Sequence, residues 1–125
     1  MNEKCNVVNW FEIPVSDIAR ATAFYEGVLE LKLRPNEMGP AKMAWFPWDK
    51  DATGSTGSLV QCEGYTPSHE GSVVYLTVAD LDAALGRIVA RGGKVLMPRT
   101  PIGEHGFVAQ FQDSEGNRVA LHGMK

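Results

Sequence analysis

The residues able to do chemistry in this chain are few and scattered. Glu104 and His105 stand side by side in a loop flanked by Gly103 and Gly106. An imidazole beside a carboxylate can pass a proton near neutrality, since its unperturbed pKa is about 6.5, and flanking glycines suit a loop that closes over a ligand. A solvated polar loop is the structural alternative. Glu12 and His122 lie in the first and last apolar runs, and Tyr75 lies in the run that opens the second half. Trp45, Phe46 and Trp48 fall in the most aromatic stretch, Met43 to Trp48. They could form an apolar wall and stacking faces for an organic molecule, or serve ordinary core or interface packing. If that stretch is a strand, Trp45 faces away from Phe46 and Trp48. Cys5 and Cys62 make no metal-type spacing and no disulfide framework. With no basic neighbour to activate it, Cys62 reads as a small buried apolar residue, and both cysteines as reduced thiols.

One pattern, present twice, must position these groups. Trp10 to Asp17 followed by Ile18 to Leu29 is matched by Val73 to Asp80 followed by Leu81 to Arg91, at an offset of 63 residues. Each copy reads as a strand, an aspartate N-cap and a helix, because an Asp carboxylate accepts from the first free helical N–H groups. The first strand is expected over Cys5 to Val15, with Trp10, Glu12 and Pro14 on one face and Phe11, Ile13 and Val15 on the other. The stripe Ile18, Ala21, Phe24, Tyr25 and Val28 marks the buried side of the first helix, which ends near Gly27 and Glu30 to Lys32. Leu31 to Met38, Lys42 to Trp48 and Ser58 to Glu63 are expected strands, with a break at Gly39-Pro40 and a turn over Asp49 to Gly57. After the linker Gly64 to Gly71 comes the second unit, its helix stopped by Gly92-Gly93. Lys94 to Met97 is an expected strand with Pro98 past its end, followed by a loop over Thr100 to Gly106. Phe107 to Gln112 and Arg118 to His122 form a hairpin about Asp113 to Asn117, where Gly116 and Asn117 can take the positive φ of a tight turn. Each half is then β–α–β–β–β, giving one domain over residues 1–125, with module 1 at about 5–63, the linker at 64–71 and module 2 at about 72–123.

Composition narrows the partners. At 125 residues, 44% hydrophobic and 22% charged, the chain suits a single packed α+β domain. A formal charge of −3 argues against a nucleic-acid surface. No apolar run is long enough to span a bilayer, and Met1 to Lys4 opens no signal peptide, so a cytoplasmic protein without membrane contact is expected.

The order of elements resembles the vicinal oxygen chelate superfamily of glyoxalases, bleomycin-resistance proteins and extradiol dioxygenases. The resemblance rests on Val15-Ser16-Asp17 with Ala23-Phe24-Tyr25 and Val28-Leu29, on Val78 to Ala84, and on Phe111 to Val119. It implies two βαβββ modules whose sheets curl around a cleft, a homodimer, and a metal site built from His and Glu. Carried over residue by residue, the first-strand His falls at Trp10, its counterpart at Val73 and the closing-strand Glu at Ala120. The remaining ligand falls near Gln61, Cys62 or Glu63. Indole, isopropyl and methyl groups bind no hard or borderline cation, so no metal is expected at that place.

Glu12, Tyr75 and His122 stand two residues beyond Trp10, Val73 and Ala120, a displacement of about 7 Å along the strands. They could contact a polar substrate, or, at Glu12 and His122, hold a divalent metal at a shifted site. The resemblance and these residues together imply a protein that binds a small organic molecule in the sheet cleft, with Trp10, Tyr75, Trp45 and Trp48 as contacts. The alternatives are a metal-dependent lyase or dioxygenase using Glu12 and His122, and metal-free proton transfer by Glu12, His105 or His122.

Overall fold

The computed structural model describes residues 5–125, and the reading of Met1 to Lys4 falls outside them. Asp17 and Asp80 open the two helices in the same way. Each sits in extended backbone and accepts the N–H three residues on, from Arg20 and Ala83 respectively, at 3.1 Å. Helix α1 (Ile18–Leu29) buries Ala21, Phe24, Tyr25 and Val28 of its expected stripe, with Ile18 half-buried, and α2 (Leu81–Ala90) buries Leu81, Ala84, Leu85 and Ile88. Helix α2 ends in a Schellman motif, with the Gly93 and Gly92 N–H groups donating to the Ile88 and Val89 carbonyls. Helix α1 runs through Gly27 and stops at Glu30, which takes a left-handed φ of 55°. There Arg87 reaches across from α2 and its Nε donates to the Val28 carbonyl at 2.7 Å.

Two four-stranded mixed sheets accompany the helices, as the two-module α+β reading requires. In the first, β1 (Trp10–Pro14), β4 (Thr56–Gln61), β3 (Ala41–Trp45) and β2 (Arg34–Met38) lie side by side in that order. In the second, β5 (Tyr75–Thr77), β8 (Arg118–Gly123), β7 (Phe107–Gln112) and β6 (Lys94–Pro101) repeat the order. Each pairs its first and last strands parallel and the rest antiparallel. The core is shared: Ile13, Val15, Ala44, Phe46 and Leu59 of one module and Ala109, Phe111, Val119 and Leu121 of the other enclose the buried helix faces.

Several strand limits differ from those expected, for reasons of pairing. Strand β1 starts at Trp10 rather than Cys5 because its partner β4 begins at Thr56, opposite Trp10. Strand β3 stops at Trp45 rather than Trp48, where Pro47 lacks the N–H to continue a ladder. Strand β5 is cut to Tyr75–Thr77. Strand β6 runs on through Pro98 to Pro101, because an edge strand with two register shifts tolerates a missing donor. The expected loop after it contains a 3-10 turn at Gly103–His105. Cys62 is half-buried rather than buried.

The turn from Asp113 to Asn117 does more than close a hairpin. Gly116 takes φ 94°, but Asn117 does not take the positive φ foreseen for it; its side chain is the working part. Asn117 Nδ2 donates to the Pro14 carbonyl at 2.7 Å and to Asp113 Oδ2 at 3.0 Å. Buried Asp113 also accepts the Tyr25 hydroxyl at 2.6 Å and the Glu115 and Asn117 N–H groups, both at 2.9 Å. Glu115 accepts the Ser16 and Asp17 N–H groups at 2.9 Å and a two-pronged contact from Arg20. Burial alone would raise the Glu115 pKa, yet the donors from Arg20, Asp17, Ser114 and Ser16 outweigh it and hold the carboxyl below its ordinary value. Module 2 thus caps the helix of module 1.

Candidate ligand site

Beta pleating divides each sheet into a helix-facing side and an opposite side. In the first sheet, register puts Arg34, Trp45, Ser58 and Glu12 in one row and Thr56 and Trp10 in the next, all on the side turned away from the helices. Trp10 and Trp45 meet edge to face, their ring centroids 5.2 Å apart at 72°. The Arg34 guanidinium lies over the Trp45 ring, 5.6 Å from its centroid. Trp48 follows the end of β3, so alternation no longer governs it, and it lines the same cavity as Trp45 instead of facing oppositely. Phe46 does turn inward, against Phe11 and Tyr25.

The result is a cavity of about 450 Å³ into which all three tryptophans of the chain converge. Lys32, Arg34 and Thr56 complete its polar lining with Asn9. The Thr56 hydroxyl is committed, donating to the Pro47 carbonyl at 2.8 Å. Arg34 and Lys32 were not singled out in the sequence, although a signal was there. The two-residue turn Gly39-Pro40 pairs Met38 with Ala41, and counting back along the hairpin sets Arg34 opposite Trp45.

The other residues raised from the sequence are placed elsewhere. Glu12 accepts the Tyr65 hydroxyl at 3.1 Å, and that hydrogen bond to a carboxylate raises the Tyr65 pKa above its ordinary value. It borders a smaller cleft of about 220 Å³ with Ser68, Glu70 and Arg118, lined by neither Tyr75 nor His122. His122 donates from Nε2 to the His105 carbonyl at 2.6 Å, since a carbonyl can only accept. His105 itself is exposed, its ring nitrogen 3.9 Å from Glu104. Tyr75 is 52% exposed and lies opposite Ala120. Glu12, Tyr75 and His122 therefore share no hydrogen bond.

The donor set does not fit the metal of related enzymes. Trp10 belongs to the aromatic cavity, and Ala120 is fully buried with only a methyl group to offer. The Gln61 side chain is engaged in accepting the Ile18 N–H at 2.8 Å, the first of α1. Among the described residues, no three His, Cys, Asp or Glu side chains converge to hold a cation.

Two βαβββ modules of identical strand order, sharing one core, define a glyoxalase-like α+β fold. The family model for the Glyoxalase/Bleomycin resistance protein/Dioxygenase superfamily matches residues 7–121, and the chain belongs to that superfamily. A glyoxylase-like domain-containing protein of Didymella fabae is 32% identical over 118 residues, covering 91% of each chain. Two mycobacterial relatives are 27% identical over 117 residues, and the chain spans 44% of their length. Among solved structures, a glyoxylase/bleomycin resistance protein/dioxygenase domain from Frankia superimposes with a TM-score of 0.72 at 16% identity, covering 95% of this chain and 98% of that one. Glyoxalase I from Zea mays gives 0.64 at 22%, covering 92% of this chain and 45% of the maize protein. At such identities these structures speak for the fold alone.

Proposed function

We propose that the protein binds a small organic molecule in the cavity walled by Trp10, Trp45 and Trp48, without a metal at the position its relatives use. The observation that carries this reading is the convergence of every tryptophan in the chain on one cavity of about 450 Å³. That volume falls in the range of small-molecule sites, and an apolar wall with a few polar groups is their usual make-up. Calorimetric titration with neutral bicyclic aromatics tests it directly: binding should weaken at least tenfold in Trp45→Ala and Trp10→Ala. Equal affinity in both variants would move the site elsewhere.

Metal status is tested separately, by elemental analysis of protein purified without added metal or chelator. Less than a tenth of an equivalent of Zn, Ni, Fe or Mn is expected, on the order of contamination, because indole, isopropyl and methyl groups are no ligands. Mole-for-mole metal that disappears in the Glu12→Ala and His122→Ala variants would establish the shifted site of a lyase or dioxygenase instead. Metal-free proton transfer by Glu12, His105 or His122 stays a separate alternative on their chemistry alone, since neither they nor Tyr75 line the tryptophan cavity. A cytoplasmic homodimer completes the proposal. Met38, Trp48, Tyr75 and Leu96 are exposed apolar groups that a second copy could cover, and light scattering at micromolar concentration would report the mass. No helix among the described residues is long and apolar enough to cross a membrane.

A further inference from the structure

The tryptophan cavity has a charge opposite to that of its chain. The protein carries a formal −3, yet the ionisable groups lining the cavity are Lys32 and Arg34, with no carboxylate among them. Arg34, like Arg91, Arg99 and Arg118, has no carboxylate partner among the described residues, whereas Arg20 and Arg87 do. Lys32 Nζ comes only to 3.9 Å from Glu26, whose other oxygen accepts the Leu33 N–H. Arg34 is also held in place. Its backbone position opposite Trp45 is set by the hairpin register, and its guanidinium lies over the Trp45 ring, 5.6 Å from the centroid. A guanidinium laid on an aromatic ring keeps its N–H edge free, and that edge matches the two oxygens of a carboxylate.

We propose that the cavity takes a planar aromatic carboxylate, its ring against Trp10, Trp45 and Trp48 and its carboxylate on the Arg34 guanidinium, with Lys32 adding charge at the rim. The inference rests on the tryptophan cavity being the ligand site, and it names the class of ligand. The flat ring answers the edge-to-face indoles, which offer a face and an edge rather than a rounded pocket. The anion answers the two charged side chains, Arg34 and Lys32, which can only donate; the Thr56 proton is already given to the Pro47 carbonyl, and Asn9 adds a neutral amide. A cationic or a strongly basic ligand meets two like charges there and no counter-charge.

The test uses 2-naphthoate and its neutral isostere 2-naphthamide, titrated calorimetrically into the intact protein and into Arg34→Gln, Lys32→Gln and Trp45→Ala. Naphthoate should bind the parent protein about tenfold more tightly than the amide, the size expected of one charge-assisted contact. Arg34→Gln should erase that preference, bringing naphthoate to the affinity the same variant shows for the amide, and Lys32→Gln should reduce it by about twofold to threefold. Raising the salt concentration should weaken naphthoate binding and spare the amide. Equal affinities in the parent protein, or a preference that survives in Arg34→Gln, would overturn the carboxylate assignment while the aromatic site stands. Failure of both compounds to bind, or binding indifferent to Trp45→Ala, would remove the site and this inference with it.

Discussion

Tyr25→Phe isolates one bond in the joint between the modules. The Tyr25 ring is fully buried among Phe24, Phe46 and Phe111, and phenylalanine preserves that packing. What disappears is the hydroxyl that donates to Asp113 Oδ2 at 2.6 Å. Burial, followed by the neighbouring Asp113 charge, raises the Tyr25 pKa well above its ordinary value, so the group is a neutral donor at any working pH. The Asp113 Oδ2 atom keeps one other donor, Asn117 Nδ2 at 3.0 Å, and the carboxylate remains buried. Losing one charge-assisted hydrogen bond to a buried acceptor costs about 2 kcal/mol. For a domain of this size that corresponds to a melting temperature lower by about 6–10 °C. Urea unfolding followed by circular dichroism measures the free energy, and a cycle with Asp113→Asn should give a coupling of about 1 kcal/mol or more. A loss below about 0.5 kcal/mol, or additive single effects, would refute the assignment of this bond as a tie between helix α1 and the closing hairpin.

Asp17→Ala and Asp80→Ala should each lower stability by about 1 kcal/mol in the same assay, because each removes one side-chain cap from an otherwise free N–H. Glu115 predicts a pH dependence. Its folded pKa lies below the ordinary 4.5, so its contribution is present above that value and lost as pH falls through the lower, folded one. A series of melting curves from pH 6 down to about pH 3 should therefore be shallower in Glu115→Gln than in the parent protein. Two glycines should respond in opposite directions. A Cβ at Gly57 would meet the Phe11 carbonyl of the paired strand, so Gly57→Ala should cost about 3 kcal/mol. A Cβ at Gly27 meets only the mobile end of Arg91, so Gly27→Ala should be neutral or gain up to about 1 kcal/mol from helix propensity.

The features legible in the sequence were those decided within a few residues. The aspartate caps, the helix stripes and the Gly92-Gly93 stop depend on neighbours three or four positions away, and they lie where the pattern puts them. Strand limits depend on partners far along the chain. Nothing near Cys5 shows that Trp10 is where Thr56 begins to pair. The site followed the same division. Trp45 and Trp48 were visible as aromatic residues, but strict alternation separated them, and only the end of the ladder at Trp45 lets Trp48 return to the same cavity. The Asp113 joint spans 88 residues to Tyr25 and could not be read from a motif that, taken locally, is a tight turn.

The two modules, compared with each other, differ on the sides of their sheets turned away from the helices. Their helix-facing sides follow one plan: Val15 N–H donates to Val60 and Val78 N–H to His122, Ile13 and Leu76 are both buried, and both helices carry the same cap. Their opposite sides do not. Glu12 faces Ser58 where Tyr75 faces Ala120, and although Arg99 lies over Phe107 in the second module as Arg34 lies over Trp45 in the first, the β6–β7 ladder carries two register shifts and no tryptophan. A shared core constrains one side of each sheet, since any change there is felt through close packing. The opposite side is free to differ without unfolding the protein. That freedom accommodates Trp10 at the position where the family resemblance implies a metal ligand: Trp10 belongs to no core contact. It also gives the substitution a consequence. An indole there packs against Trp45 and closes one wall of the cavity, and on the function proposed above that strand position serves aromatic recognition.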